Sequence, residues 1–227
     1  MICRLLTPLR LLALPILLGT ALSACALGRS VVDIKAPASV AAAGETAVKI
    51  TEVSDSRHFT VNPRDPSEPS LGDAAEINDP KITARAIGRK RGGFGGAFGD
   101  VVLPEGATVA GLVRDAAQTA LQDEGYRIVS EGSPDYAGAL PLALDVEQFW
   151  GWYTPGFASV DVSFKSRIIM TGDPLVGSGA ANAEGFANYS SSVGIFESDW
   201  AELVKNGLAD LTAKMKQRIK APSEISK

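Results

Sequence analysis

ALPLALDVEQFW (residues 139–150) and SVDVSFKSRIIMTGD (residues 159–173) decide how this chain folds. In the first, Leu140, Leu142, Leu144 and Val146 alternate with Asp145 and Glu147. Alternation at a period of two puts the apolar residues on one face of a strand and the acids on the other. The second repeats the pattern, with Val160, Val162, Phe164, Ile168 and Met170 on one face and Asp161, Ser163, Lys165 and Arg167 on the other. Two such strands joined by a short Gly- and Pro-containing connection read as an antiparallel meander with one wet face. GSGAANAEGFANYSS (177–191) is a weaker third strand, poor in branched residues.

Two helices flank this sheet in the sequence. In TVAGLVRDAAQTALQDEGY (108–126), Val109, Leu112, Val113, Ala116, Ala117, Ala120 and Leu121 recur at helical spacing. Thr108 is placed to cap the start and Gly125 to end the helix. In SDWAELVKNGLADLTAKMKQRI (198–219), Trp200, Leu203, Val204, Leu208, Leu211, Met215 and Ile219 form an amphipathic stripe, with Ser198 as cap. AVKITEVSDSR (47–57) predicts the first strand, ITARAIG (82–88) a short one and YRIVS (126–130) another. The expectation is an α+β fold: a single mixed, largely antiparallel sheet with two main helices packed on one face.

The first residues, MICRLLTPLRLLALPILLGTALSAC, place Arg4 and Arg10 before an apolar run from Leu11 to Leu18, with no acid before Cys25. The run is too short for a spanning helix and reads as a secretory signal. Leu22-Ser23-Ala24-Cys25 resembles the lipobox of bacterial lipoproteins. The resemblance implies cleavage before Cys25 and acylation of that cysteine, and two or more acyl chains hold a protein stably on a bilayer. Ala26 is not the Asp that retains lipoproteins at the inner membrane, which implies the outer membrane, facing the periplasm. The expected organisation is signal peptide 1–24, lipidated cysteine and Ala-rich tether 25–47, periplasmic domain 48–220 and frayed tail 221–227.

Composition excludes several functions. The formal charge is −4, and it becomes −6 once Arg4 and Arg10 leave with the signal. An acidic domain is a poor partner for nucleic acid. Of two cysteines, Cys3 leaves and Cys25 is the lipid acceptor, so neither disulfide nor thiolate chemistry is expected. His58 is the sole histidine, on a Pro-rich loop, and no acid spacing makes a ligand set, so neither metal nor cofactor is expected.

RKRGGFGGAFGD (89–100) resembles a phosphate loop but fails both templates. No lysine follows its glycines, and the Gly-x-Gly-x-x-Gly register from Gly93 and Gly95 lands on Phe98. It reads as a turn. Arg89, Lys90 and Arg91 remain as candidate contacts for anionic lipid head groups or glycan phosphates. Asp145, Glu147 and Asp161 are expected to solvate the open sheet face, pairing with Lys165 and Arg167. Their rival role is glycan hydrolysis.

FWGWYTPGF (149–157) gathers five of the 15 aromatics at one strand connection. Trp150, Trp152, Tyr153 and Phe157 are candidate contacts for a ligand or an envelope protein partner. The equal alternative is that these rings cap one end of the core, with at least one tryptophan buried.

The order ITEVSDSR, AIGRKRGGFGGAFGDV, ALQDEGYRI, LALDVEQFWGWY, with the lipobox and the closing helix, resembles the YajG-type family of uncharacterised Gram-negative lipoproteins over most of residues 46–216. Asp55 and Arg57, Ile87 and Gly88, and Gly125 and Tyr126 carry the resemblance. It implies a non-enzymatic, lipid-anchored periplasmic domain with a role in envelope maintenance. The alternative is an auxiliary lipoprotein of an ABC-type lipid transport system, which neighbouring genes for a permease and a lipid shuttle would favour.

Overall fold

The computed structural model describes residues 28–92, 96–156 and 158–225. The strands are β1 (Ser30–Val31), β2 (Ala47–Asp55), β3 (Thr60–Val61), β4 (Ser70–Leu71), β5 (Ala86–Arg91), β6 (Ala97–Val102), β7 (Arg127–Ile128), β8 (Leu140–Pro155), β9 (Val160–Thr171) and β10 (Ala180–Ser191). The helices are α1 (Ala74–Ile77), α2 (Pro80–Thr83), α3 (Val109–Asp123), α4 (Glu197–Lys216) and α5 (Pro222–Ile225). The fold is α+β. Eight strands form one mixed sheet, and β3 pairs with β4 apart from it.

The meander anticipated from the alternating pattern is the spine of the sheet. β8 pairs antiparallel with β9 and β9 with β10, each over nearly its full length. The remaining pairings shift the balance of direction. Of seven pairings four are parallel (β1–β6, β2–β7, β2–β8 and β5–β8) and three antiparallel. The parallel ones join segments far apart in the chain, which local alternation does not report.

β9 occupies one edge of β8. The other edge is shared end to end: β2 pairs with Leu140 to Val146, and β5 with Gly151 and Trp152. A bulge between Val146 and Gln148 separates the two halves. One extra residue inverts the facing of everything after it. Leu142, Leu144, Val146 and then Phe149 therefore face the helices, while Trp150 faces the other way.

On the helix face, α3 and α4 share one core with β2, β8 and β9. Each of the seven apolar residues anticipated on α3 is buried, as are the anticipated residues of α4 and Ile219 beyond it. The Thr108 hydroxyl accepts from the Gly111 amide at 3.0 Å, and Gly125 takes φ +86 where α3 ends. α4 begins two residues earlier than expected. Phe196, not Ser198, is its N-cap residue, and the Asp199 carboxylate accepts the Phe196 amide at 2.8 Å.

The opposite face is where the tertiary structure departs most from local expectation. Residues 58–81 do not form an open surface loop. With β3, β4, α1 and α2 they cover β5 and the far half of β8, enclosing Phe59, Leu71, Ala86, Val102 and Trp150. ITARAIG divides accordingly: Pro80–Thr83 is one helical turn capped by Asp79, and the strand begins at Ala86. The tether reading of residues 25–47 is also corrected for the described part. Ser30–Val31 pairs with β6, Val32 and Ile34 enter the core, and Thr119 donates to the Pro37 carbonyl. Two branched residues at i and i+2 were enough to bind an otherwise Ala-rich segment.

α4 lies directly on the sheet at two glycines. A Cβ at Gly207 would stand 2.2 Å from the Phe164 ring, and one at Gly185 would stand 2.6 Å from the Gly207 carbonyl. Helix propensity alone predicts that Gly207→Ala stabilises by about 1 kcal/mol. Packing predicts the reverse, because Phe164 is fully buried and overpacking costs about 1–3 kcal/mol. Urea denaturation of Gly207→Ala is expected to show a net loss of stability.

Candidate functional site

RKR, the basic run of the glycine loop, lies in β5 rather than in the turn. The turn itself, residues 93–95, lies outside the described residues; on either side of it Gly92 donates to the Gly96 carbonyl at 2.8 Å and β5 pairs antiparallel with β6. But all three basic residues are buried between the two layers of the protein. Arg89 Nη1 donates to Asp100 Oδ1 at 2.9 Å, and Arg29 reaches the second Asp100 oxygen at 3.2 Å. Arg91 donates to the Pro63 carbonyl and to Ser70 Oγ. Arg89 and Arg91 are thereby committed to the protein itself, and the expectation that they touch anionic head groups is corrected.

Lys90, between them, points to the helix face. Its Nζ donates to Ser30 Oγ at 3.0 Å, and that hydroxyl donates to Glu197 Oε1 at 2.7 Å. Ser30 comes from β1 and Glu197 from the first turn of α4, so this relay joins three elements. Burial pushes the Lys90 ammonium down from its ordinary value, while Glu197 and Asp100 oppose the shift. The Ser30 hydrogen bond, then a backbone hydrogen bond and Lys90, hold the Glu197 carboxyl below its ordinary value.

These residues form the floor of a cavity of about 300 Å³. Its walls are apolar: Tyr153, Val160 and Trp200 inside, Phe98, Val193 and Phe196 at the mouth. Tyr153 stacks on Trp200 with centroids 5.4 Å apart and planes at 19°, and the indole N–H donates to the Tyr153 hydroxyl at 3.4 Å. Desolvation raises Tyr153 above its ordinary value, with the Trp200 hydrogen bond acting against it. The close approach at the floor is set by Gly88 and Gly151, where an added Cβ would meet the Trp200 ring at 2.8 and 2.6 Å.

The aromatic stretch of β8 therefore splits. Tyr153 lines the cavity. Trp150 is fully buried on the opposite face, edge-on to Phe59 at 5.9 Å, with its indole N–H donated to the Pro66 carbonyl. From there it contacts no external partner, which corrects its candidacy. Trp152 is half-buried against the same second cluster. Phe157 and Cys25 lie outside the described residues. Ser30, Glu197 and the mouth residues were not singled out from sequence as a site, and Trp200 was read only as part of the apolar stripe of the closing helix. The only local signal was the apolar VGIF (193–196) preceding the closing helix.

Of the acids expected to solvate the sheet, Asp161 is exposed, and Asp145 and Glu147 have partners. Asp145 accepts from the hydroxyls of Ser54 and Ser56, both at 2.8 Å. Glu147 pairs with Arg167 at 3.0 Å, and Glu184 approaches both Arg167 and Lys165. Among the described residues, no group of three or more His, Cys, Asp or Glu could hold a metal ion. None of the helices among them is long and apolar enough to cross a membrane.

Arg57 holds the site's framework together. All five of its N–H groups are used. Nε and Nη2 form a bidentate pair with Asp55 at 2.7 and 2.8 Å, Nη1 donates to the carbonyls of Ala86 and Phe149, and Nη2 to Thr83 O. Its guanidinium lies 5.1 Å from the Phe59 ring centroid.

No protein-family model matches the chain, and no curated protein matches it. A solved crystal structure of an uncharacterized protein aligns with 84% of this chain and 97% of its own, at 10% identity and a TM-score of 0.43. A likeness of that degree fixes neither family nor function.

Two measurements test this framework. Arg57→Ala is expected to lose about 3–5 kcal/mol in urea denaturation, with Arg57→Lys recovering little, since an ammonium cannot span the same acceptors. Tyr126 is buried and donates its hydroxyl to Lys220 O, and burial pushes its pKa up to about 12. The raised folded value means that its contribution is fully present below pH 10 and is lost as the pH rises towards 12. Stability measured against pH should fall over that window, and less steeply in Tyr126→Phe.

Proposed function

We propose that this chain is a non-enzymatic outer-membrane lipoprotein, anchored through Cys25, whose periplasmic domain binds at the cavity between β5 and the start of α4. The observation that carries the reading is the position of Gly28. Its amide donates to the Phe98 carbonyl at 2.6 Å, at the mouth of the cavity, and it follows Cys25 by three residues. Three residues span at most about 11 Å. An acylated Cys25 then holds the cavity mouth beside the bilayer, with little freedom to turn away.

The non-enzymatic reading is supported by the occupation of the candidate acids. Asp145 accepts from two hydroxyls and Glu147 pairs with Arg167, as acids that solvate a sheet surface do. The YajG-type resemblance adds an envelope maintenance role. The second reading, an auxiliary lipoprotein of an ABC-type lipid transport system, is favoured by one feature in particular, the apolar lining of the cavity.

Anchoring is tested by metabolic labelling with a palmitate analogue and membrane fractionation. Wild-type protein is expected to carry the label and sediment with outer membranes. Cys25→Ser should carry no label and leave that fraction. An unlabelled, soluble wild-type protein overturns the anchor.

A further inference from the structure

We propose that the cavity takes the aliphatic chain of an uncharged or zwitterionic acyl lipid, with the ester carbonyl of that lipid accepting a hydrogen bond from Lys90. The inference rests on reading this end of the domain as a binding site, and does not require acylation of Cys25.

Three features specify the ligand. The first is the amine. Lys90 is 5% exposed, and an ammonium has three N–H donors. Its hydrogen bonding among the described residues uses one, to Ser30. Donors left over at the floor of an apolar cavity favour a ligand that brings an acceptor oxygen, since unpaired buried donors are costly.

The second is charge. Lys90 is balanced by Glu197 through the Ser30 hydroxyl, and Asp100 stands close enough to act on it. The floor therefore offers donors without net positive charge. A carboxylate head would meet Glu197, whereas an ester carbonyl takes the same hydrogen bond with no such repulsion. This separates an acyl ester from a free fatty acid.

The third is shape. About 300 Å³ holds roughly ten water-sized groups at about 30 Å³ each, part of a long acyl chain rather than all of it. The remainder has an apolar path outward. Val193 is 83% exposed, Phe196 58% and Phe98 45%, all at the mouth. Exposed apolar side chains gathered at one opening mark a contact with something apolar.

The test uses contact quenching of Trp200 by brominated acyl chains. The full chain carrying Cys25→Ser, which has no acyl group of its own to fill the cavity, is titrated with mono-dibromostearoyl glycerol and with dibromostearate. Saturable quenching is expected, tighter for the glyceride than for the carboxylate. Lys90→Met is expected to weaken the glyceride about tenfold, the size of one lost hydrogen bond to a charged donor. The exposed-site variant Phe196→Asp, which leaves the core untouched, should weaken both lipids. Circular dichroism establishes that each variant is folded. Absent or unsaturable quenching in the folded chain, or quenching indifferent to Phe196→Asp, overturns the site. Tighter binding of the carboxylate, or a Lys90→Met variant as good as wild type, overturns the head-group assignment. Palmitate labelling reports the anchor separately, so either proposal can fail without the other.

Discussion

The Arg57 guanidinium sits where the edge of β8 changes partner. β2 covers the first half of that edge and β5 the second, and neither reaches Phe149. A buried strand carbonyl left without a donor is costly. Nη1 supplies that donor to Phe149 and to Ala86 at the start of β5, while Asp55 at the end of β2 neutralises the charge. One side chain thus joins two strand ends, the bulged strand and the segment that covers the second face. Its side chain is fully enclosed, so its charge is tolerable only because each donor is satisfied.

The cavity depends on this arrangement indirectly. β5 must be held parallel to the far half of β8 for Gly88 and Gly151 to lie side by side, and those glycines leave room for the Trp200 ring. Trp200 in turn orients Tyr153. Lys90 follows from the same placement. β5 is covered on both faces, so its alternating basic residues divide between two environments. Arg89 and Arg91 are fixed by an acid, a hydroxyl and a carbonyl, and Lys90 is left at the floor of an apolar space. A basic run that resembles a surface patch is tied into the protein at two positions and lines the cavity at one.

Not every local signal misled. The glycine loop was legible as a link between strands, and β5 and β6 pair antiparallel on either side of it. The aromatic stretch was legible as dense but not as divided. Strict alternation pairs Trp150 with Val146 on one face, and the single bulge at Glu147 reverses that assignment. The Pro- and Asp-rich segment after Arg57 looks solvated from composition, yet Phe59 and Leu71 pack it onto the sheet, where Arg91 and Trp150 also hydrogen-bond to it.

The sequence by itself determined α3, α4 and their buried faces, the three-strand meander, and the inward face of β9 and of β8 as far as Val146, because periodicity, caps and turn residues act within a few positions of one another. Tertiary structure decided the bulge, the second layer, the burial of RKR and the cavity. Those rest on contacts between residues remote in the chain. Arg57 and Phe149 are 92 positions apart, and Ser30 and Glu197 are 167. A hydrogen bond of that span leaves no local pattern, since either residue alone would serve equally well on a surface.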